Sequence, residues 1–501
     1  MKKPIYFEEM RTSLYPTGLL HAFGVNGKIA GSVFALGEME DVIGVLHAPQ
    51  GCGYHYRFSA RRRHYPYFQL ISSEIGEDDI VHGGAHQLYD TVVDTWHRYR
   101  PKLIVIIPSP ISDVVADDLE AVARRARADG INAIAIESEA FSHPDREAGN
   151  KRLAETAKQK FGQGKGVPFD TKGCGFTEAL TTVVDQVMEP AEPIPRTVNI
   201  ETIAWGDFGF LLIPEVEATL NRAGITVNAF FPSTDHDAIV RMPQGALNIV
   251  RRVKWARAMK QRFGTPFLQI TNSGRYEGLA GISTFYRDIG ELLGAEQDMN
   301  AVIATEEAAA TDATRDALAE LGTFQVVIAT RSLALLPGLV RRYAQDYGLS
   351  IAACVVDLSD TRRADMGITD DLLASLTERV HEMLREHAPD ARLLLNPTGA
   401  EVDALRRATH AVVGSDDAAW EKLGIPLVHP RHEDISLTYP SYVRSVIRVR
   451  DKLREAKPRP HLLLNKLSYD AEIPFLLDDR DMTASKQMWS RMSLRRREAV
   501  R

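Results

Sequence analysis

A thiol held between two glycines, Gly51-Cys52-Gly53, follows an apolar run and sits among side chains able to bind, donate or accept: His47, His55, Arg57, Arg61, Arg62, Arg63 and His64. Glycines on both sides let a bulky group approach the backbone and expose the sulfur between them. A helix starting just after the turn would set backbone N–H groups near the sulfur and favour thiolate, the form that ligates metal or attacks an electrophile. The segment is basic and aromatic in a chain of net charge -7. Taken in isolation, a lone cysteine in a tight turn is more often a small buried hydrophobe, and that plainer reading stands beside the reactive one.

Only two further cysteines exist. Cys174, in KGCGFTE, lies in a glycine turn at a helix start and reads as structural with some reactivity open; Cys354, mid-strand in SIAACVVD, reads as core. Three cysteines without a C-x-x-C pair exclude a disulfide framework and a self-contained cysteine-type zinc site. A metal bound through Cys52 would draw most of its ligands from elsewhere. Glu77, Asp78 and Asp79 read as structural support for the turn, capping a helix or pairing with the arginines. Asp117 and Asp118 read as first-turn acids that complement a helix dipole.

The elements that must position these groups alternate short β-branched runs with longer helical patterns. LIVIIPS (103–109) reads as a buried strand, followed by a helix over about 114–128 and then INAIAIES (131–138). The rhythm returns in VNIETIAW, ITVNAFF and TPFLQI, and again in FQVVIAT, LSIAACVVDL, ARLLLNP and HAVVGS. Such alternation indicates parallel sheets built from βαβ units. The fold class is therefore α/β, with three Rossmann-like doubly wound parallel-sheet domains and a helical C-terminal arm. A length of 501 residues also predicts about three domains. The proline-rich MEPAEPIPR (188–196) reads as a linker, and a softer boundary falls where GAEQDMN gives way to an Ala/Thr-rich stretch. The domains are then 1–190, 196–305 and 306–450, with the arm over 451–501. The arm's basic end, SLRRREAVR, reads as a solvated face.

Several function classes fall away. The acidic balance and pI near 6.1 argue against a general nucleic-acid binder. Apolar runs are strand-sized and the start, MKKPIYFEEM, lacks the apolar stretch of a signal peptide, so the expectation is a soluble, cytoplasmic protein. No G-x-G-x-x-G follows a strand and no Walker A sequence is present, which leaves a NAD or FAD site unsupported. The crevices at the carboxyl ends of the strands need another use.

His47-Ala48-Pro49-Gln50-Gly51-Cys52, the Arg/His/Tyr-rich stretch after it, and Glu77-Asp78-Asp79-Ile80-Val81-His82-Gly83-Gly84 resemble the component 1 family of nitrogenases. In that family an H-G-(P/S)-x-G-C turn gives a cysteine to an iron–sulfur cluster at the interface of two homologous chains, and a D-x-V-F-G-G segment follows closely. The lead-in GSVFALGEMEDVIGVL is similar in spacing, and PISDVVADDLEAVARRA resembles the C-P-I-G-x-I-G-D-D segment. The specific motifs are confined to residues 19–120, whereas the three-domain architecture covers most of the chain.

The departures sharpen what the resemblance implies. The family's chains each give three cysteines to an eight-iron P-cluster; here the upstream position falls on Gly27 and the downstream one on Pro110. Neither side chain can ligate iron. The cysteine that holds the large cofactor in the catalytic chain aligns with about Asn248, and the histidine with Arg431, flanked by His429 and His432. The chain thus resembles the partner subunit and not the cofactor-bearing one. Dark-operative protochlorophyllide reductase and chlorophyllide reductase, in the same family, hold one [4Fe-4S] cluster with ligands split three to one between chains, and Cys52 fits the single-ligand role. A homodimer would instead need help from residues such as Asp113, Ser109 or His21.

The resemblance therefore implies an oxidoreductase subunit in an α2β2-type complex with a homologous component 1 chain. An ATP-dependent iron protein would deliver electrons through a shared interface cluster, [4Fe-4S] in preference to the P-cluster, to reduce a small-molecule substrate mainly on the partner. Arg57, Arg61 and His64 would form the environment of the anionic cluster. The family's substrates include dinitrogen, tetrapyrroles and methylthio-alkanes. Chains resembling the same family also build the iron–molybdenum cofactor, which leaves an assembly scaffold as the alternative, and a metal-free degenerate member as a third.

Overall fold

The computed structural model describes residues 28–62, 70–136, 175–202, 209–250, 253–270, 275–330, 333–356, 369–415, 419–422, 424–428 and 437–457. Three four-stranded parallel sheets follow one another along the chain. The first comprises β1 (Val42–Leu46), β2 (Leu70–Ser72), β3 (Leu103–Ile107) and β4 (Ala133–Ala135), in the order β2-β1-β3-β4. β1 and β3 run in register from Val42 beside Leu103 to Leu46 beside Ile107.

Alternation along these strands assigns each side chain to one of two cores. Leu103, Val105 and Ile107 join Val42, Leu46 and helix α1 (Lys28–Leu36) on one face. Ile104 and Ile106 join Val45 on the other, beneath α4 (Ala85–Tyr99) and α6 (Leu119–Ala128). Both faces are covered, which is why LIVII is apolar at every position. Between these elements lie α2 (Gln50–Arg62), α3 (Glu77–His82) and α5 (Pro110–Val115), each beginning beyond the carboxyl end of a strand.

Helix α7 (Gly175–Gln186) packs against α1 and leads to the second sheet, built from β5 (Ile194–Glu201), β6 (Thr226–Phe231), β7 (Gly245–Val250) and β8 (Phe267–Gln269) in the order β6-β5-β7-β8. Its helices are α8 (Gly209–Arg222), α9 (His236–Val240), α10 (Val253–Phe263) and α11 (Gly278–Leu292). The two sheets share one core, in which Phe231, Trp255 and Met259 meet Phe176 and Leu180 of α7. At the surface Lys102 lies 2.7 Å from Asp237 and 3.3 Å from Asp41.

The Ala/Thr-rich stretch, a soft boundary in the sequence, is a single helix, α12 (Glu296–Leu321); alanine is the strongest helix former and carries it unbroken through 305–306. The third sheet contains β9 (Gln325–Thr330), β10 (Ser350–Val356), β11 (Arg392–Leu395) and β12 (Ala411–Val413), ordered β11-β10-β9-β12. Cys354 is wholly buried on β10, and burial pushes its thiol up to about 12. The core reading of that residue matches its place.

The described residues divide into two compact units, one lying within 28–311 with 437–442 and the other within 312–428 with 443–457. The last described helix runs Tyr439–Arg454, and the remainder of the expected arm lies outside the described residues. Among the described residues, no helix is long and apolar enough to cross a membrane.

Candidate functional site

In the first sheet the strand order reverses between β1 and β3, so successive connections leave to opposite sides and open a crevice beyond the carboxyl ends of these two strands. His47 is the first residue past β1, Ser73 the first past β2, and Ser109 follows β3 by one further residue. Four backbone groups after β1 find partners within the chain. His47 N donates to Ile107 O at 2.9 Å, and the Ser109 hydroxyl donates to His47 O at 2.6 Å. Ala48 O accepts from the Ser72 hydroxyl at 3.0 Å and from Ile75 N at 3.2 Å. Cys52 N donates to Pro49 O at 3.0 Å.

Cys52 thus sits in the first turn of α2, which begins at Gln50, and not in a turn ahead of the helix as expected. Packing against β2 overrides the poor helix propensity of two glycines. Its side chain is half-buried against the core shared by the first two sheets. The two glycines differ. A methyl on Gly53 would lie 3.1 Å from Ser72 Cβ, whereas one on Gly51 would meet nothing within 4 Å. Only Gly53 is required by a neighbour. Tyr56, one turn on, has its phenol pKa raised by burial and by the adjacent Cys52.

The basic residues expected around the thiol have different fates. Arg57 donates to Leu70 O at 3.3 Å and so ties α2 to the start of β2. Arg61 lies on α2, with its side chain outside the description, and His64 lies outside the described residues. Gly27, His21, Cys174, His429, Arg431 and His432 are outside as well, as is the side chain of Asp113. Pro110 opens α5. Ser109, considered as a substitute ligand, spends its hydroxyl on His47 O and on accepting from Ser112 N at 3.2 Å. Asn248 faces no crevice: it is wholly buried within β7, its side-chain oxygen accepting from Asn199 at 2.8 Å.

Of the acidic residues, Asp79 caps α3 by accepting from Gly76 N at 2.9 Å, and Asp118 caps α6 by accepting from Ala121 N at 2.8 Å. Asp117 is not a dipole acid. Its carboxylate, only 5% exposed, accepts from His47 Nε2 at 2.9 Å and from Gly84 N at 2.9 and 3.2 Å. The other ring nitrogen, His47 Nδ1, is 2.8 Å from the Ser73 hydroxyl. With Nε2 protonated and Nδ1 accepting from Ser73, the neutral imidazole is satisfied at both ends. Burial pushes the His47 pKa below its ordinary value of 6.5, against the opposing pull of Asp117 and Asp79. A Cβ on Gly84 would lie 3.0 Å from Asp117 Oδ2 and 3.1 Å from His47 Cε1, so a side chain there would press the pair apart by a few tenths of an ångström. Sequence reading saw His47 and Asp117 separately. Their pairing across 70 residues was not visible, and the signal that could have hinted at it is the Gly83-Gly84 pair.

Among the described residues no group of three or more His, Cys, Asp or Glu side chains is arranged to hold a metal ion. What the site offers is one partly open thiol at a sheet's switch point, on a turn braced by hydrogen bonds from His47, Ala48 and Cys52.

The profile of the nitrogenase component 1 type oxidoreductases matches residues 28–429. The chain belongs to this family. Among curated relatives it is similar to the nitrogenase iron-molybdenum cofactor biosynthesis protein NifE of Methanococcus maripaludis, 24% identical over 63% of this chain and 60% of that protein. It thus spans about 60% of that relative's length. NifE of Sinorhizobium fredii is 26% identical over 72% of this chain and 71% of its own. The nitrogenase molybdenum-iron protein beta chain of the same bacterium is 31% identical, over 20% of each chain. The solved structure of nitrogenase Cp1 at pH 6.5 superposes with a TM-score of 0.58 at 16% identity, covering 86% of this chain and 89% of that one. That likeness establishes the shared α/β fold of three parallel sheets.

Proposed function

We propose that this chain is one subunit of a nitrogenase-like reductase in which Cys52 is its single ligand to an iron–sulfur cluster shared with a homologous chain. The carrying observation is the half-buried Cys52 thiol at the β1/β3 switch point, while the family's other two cluster positions are Gly27 and Pro110. The donor set fits one corner of a [4Fe-4S] cluster and no more, so the remaining three ligands come from the partner. Tyr54 on α2 and Ile80 and Val81 on α3 are exposed large apolar side chains beyond the same strand ends, a surface for that partner to cover. The cluster would supply one-electron transfer; this chain's part is to hold the thiol, exclude water through the core beneath it, and tie α2 to β2 through Arg57. An ATP-dependent iron protein would be the electron donor, and a small molecule on the partner the acceptor. In this reading the protein is cytoplasmic, and the three sheets belong to domains 1–190, 196–305 and 306–450 with 451–501 as an arm.

A second reading is favoured by the breadth of the matches to the two NifE proteins: a subunit of an assembly scaffold for a metal cofactor. Anaerobic co-purification with the partner chain tests both. The proposal expects about four iron atoms per pair of chains, lost in Cys52→Ala, and electron uptake from the iron protein with ATP. Cys52-dependent iron without electron uptake would favour the scaffold. Iron unaffected by Cys52→Ala would overturn the cluster assignment altogether.

A further inference from the structure

We infer that Asp117, acting through His47, is the positioning residue of the Cys52 turn, setting where the thiol stands without ligating anything itself. The inference rests on the reading of Cys52 as a cluster ligand for its purpose, though not for its geometry. Five separate segments converge on this pair. His47 continues β1 into the Cys52 turn; Ser73 continues β2; Ser109, from the end of β3, holds His47 O; Gly84 begins the turn into α4; and Asp117 joins α5 to α6. All the groups that meet there are buried or nearly so, with His47 and Ser73 at zero exposure.

A merely structural histidine would be served by any neutral acceptor. Here the acceptor is a carboxylate taking hydrogen bonds from the imidazole and from Gly84 N at both oxygens, the charge-assisted kind that is shorter and stronger than a neutral pair. Asparagine at 117 with its oxygen at the Oδ2 position would set its NH2 group at the Oδ1 position, where it meets Gly84 N at 2.9 Å donor against donor, and it removes the charge. The residue before it, Ala116, takes a left-handed backbone with φ +62°, a conformation that costs a non-glycine residue free energy and is retained where the surroundings hold it. Gly84 lies close enough that a Cβ there would crowd both members of the pair. The network ties the β1–α2 connection, which carries Cys52, to the α5–α6 junction, so the thiol's position relative to the β3 end depends on it.

The test uses the metal-free full chain first. Alkylation of Cys52 by iodoacetamide, read at that residue by peptide mass, is expected to run about tenfold faster in Asp117→Asn, the change that losing one charge-assisted hydrogen bond makes in a local opening equilibrium. Ser73→Ala, which removes only the outer partner, is expected to give a smaller rise and carries the test if Asp117→Asn does not fold. Tyr347→Phe, which deletes a buried 2.7 Å hydrogen bond to Ser445 in the compact unit that holds the third sheet, is the control and should leave the rate unchanged. Equal rates in all four proteins, or an equal rise in the control, overturn the inference. In the complex, Asp117→Asn should keep its iron while the electron paramagnetic resonance signal and midpoint potential of the cluster shift; an unshifted cluster also overturns it. A wild-type complex without Cys52-dependent iron would defeat the cluster reading alone, since the alkylation result stands independently of metal.

Discussion

The first two sheets share a strand pattern, yet each buries polar groups differently at the pair of strands where its order reverses. In the second, neutral amides lie within the sheet, and the buried carboxylate of Glu201, at the end of β5, accepts from Trp255. Asn199 on β5 donates to Asn248 of β7 at 2.8 Å and to Met242 O at 2.9 Å, and accepts from Asn228 of β6 at 2.8 Å. In the first, the groups are an imidazole and a carboxylate just past the strand ends. A ladder of amides crossing three strands can be satisfied in one register only, so it specifies the sheet. An ionisable pair past the strand ends specifies loops. The same topological position serves folding in one sheet and presentation of a side chain in the other.

That contrast can be broken from either side. Asn199→Leu should have the largest effect: it strands Asn248 Oδ1 in the core, takes one of two donors from Met242 O and the acceptor from Asn228, and should cost about 3 kcal/mol, read as a lowered first transition in thermal unfolding. It should leave Cys52 alkylation in the native chain unaltered. The glycines beside the thiol come next. Gly51→Ala faces open space in a helix and should stabilise by about 0.5–1 kcal/mol, while Gly53→Ala presses on Ser72 Cβ at 3.1 Å and should fall below it by about 1 kcal/mol or more. Equal effects would show that α2 does not lie against β2. The smallest effect is in pH. Because burial lowers the His47 pKa, the unfolded chain takes up a proton near 6.5 that the folded chain refuses until lower pH. Its contribution to stability is therefore complete above that value and is lost on acidification. Denaturation curves from about pH 7.5 to about 5.5 should show a shallower loss in His47→Gln than in the wild type.

Much of this arrangement was legible in the residues. The five-residue run LIVII and its counterparts gave buried parallel strands, because a strand covered on both faces has no polar position to display. Cys354 was recognisable as core from its apolar neighbours. The place of Cys52 past β1 followed from the order of apolar run, turn and helix. The start of α2 was not legible, since QGCG has the local character of a turn and only the packing of Gly53 on β2 makes it helical. Nor was the role of Asp117. A run reading V-V-A-D-D-L before a helix has a sufficient local explanation, and Asp118 does act as that cap. The partner of Asp117 depends on β1 and β3 being neighbours, a fact held by strand order and by no single stretch of chain. Asn248, which stands at about the position of the family's cofactor cysteine, lies buried within β7 and bonded to Asn199, a placement that no stretch around it announced.

The closure of the Cys52 turn on its own backbone bears on the order in which a working complex is made. His47 N, His47 O, Ala48 O and Cys52 N all find partners within this chain, so the turn needs nothing inorganic to take its shape. If Cys52 is the cluster ligand proposed above, such a polypeptide would fold and be kept in store before any iron arrives. Metal would then come to a finished surface, and the iron supply would govern how many subunits are loaded and leave untouched how many survive.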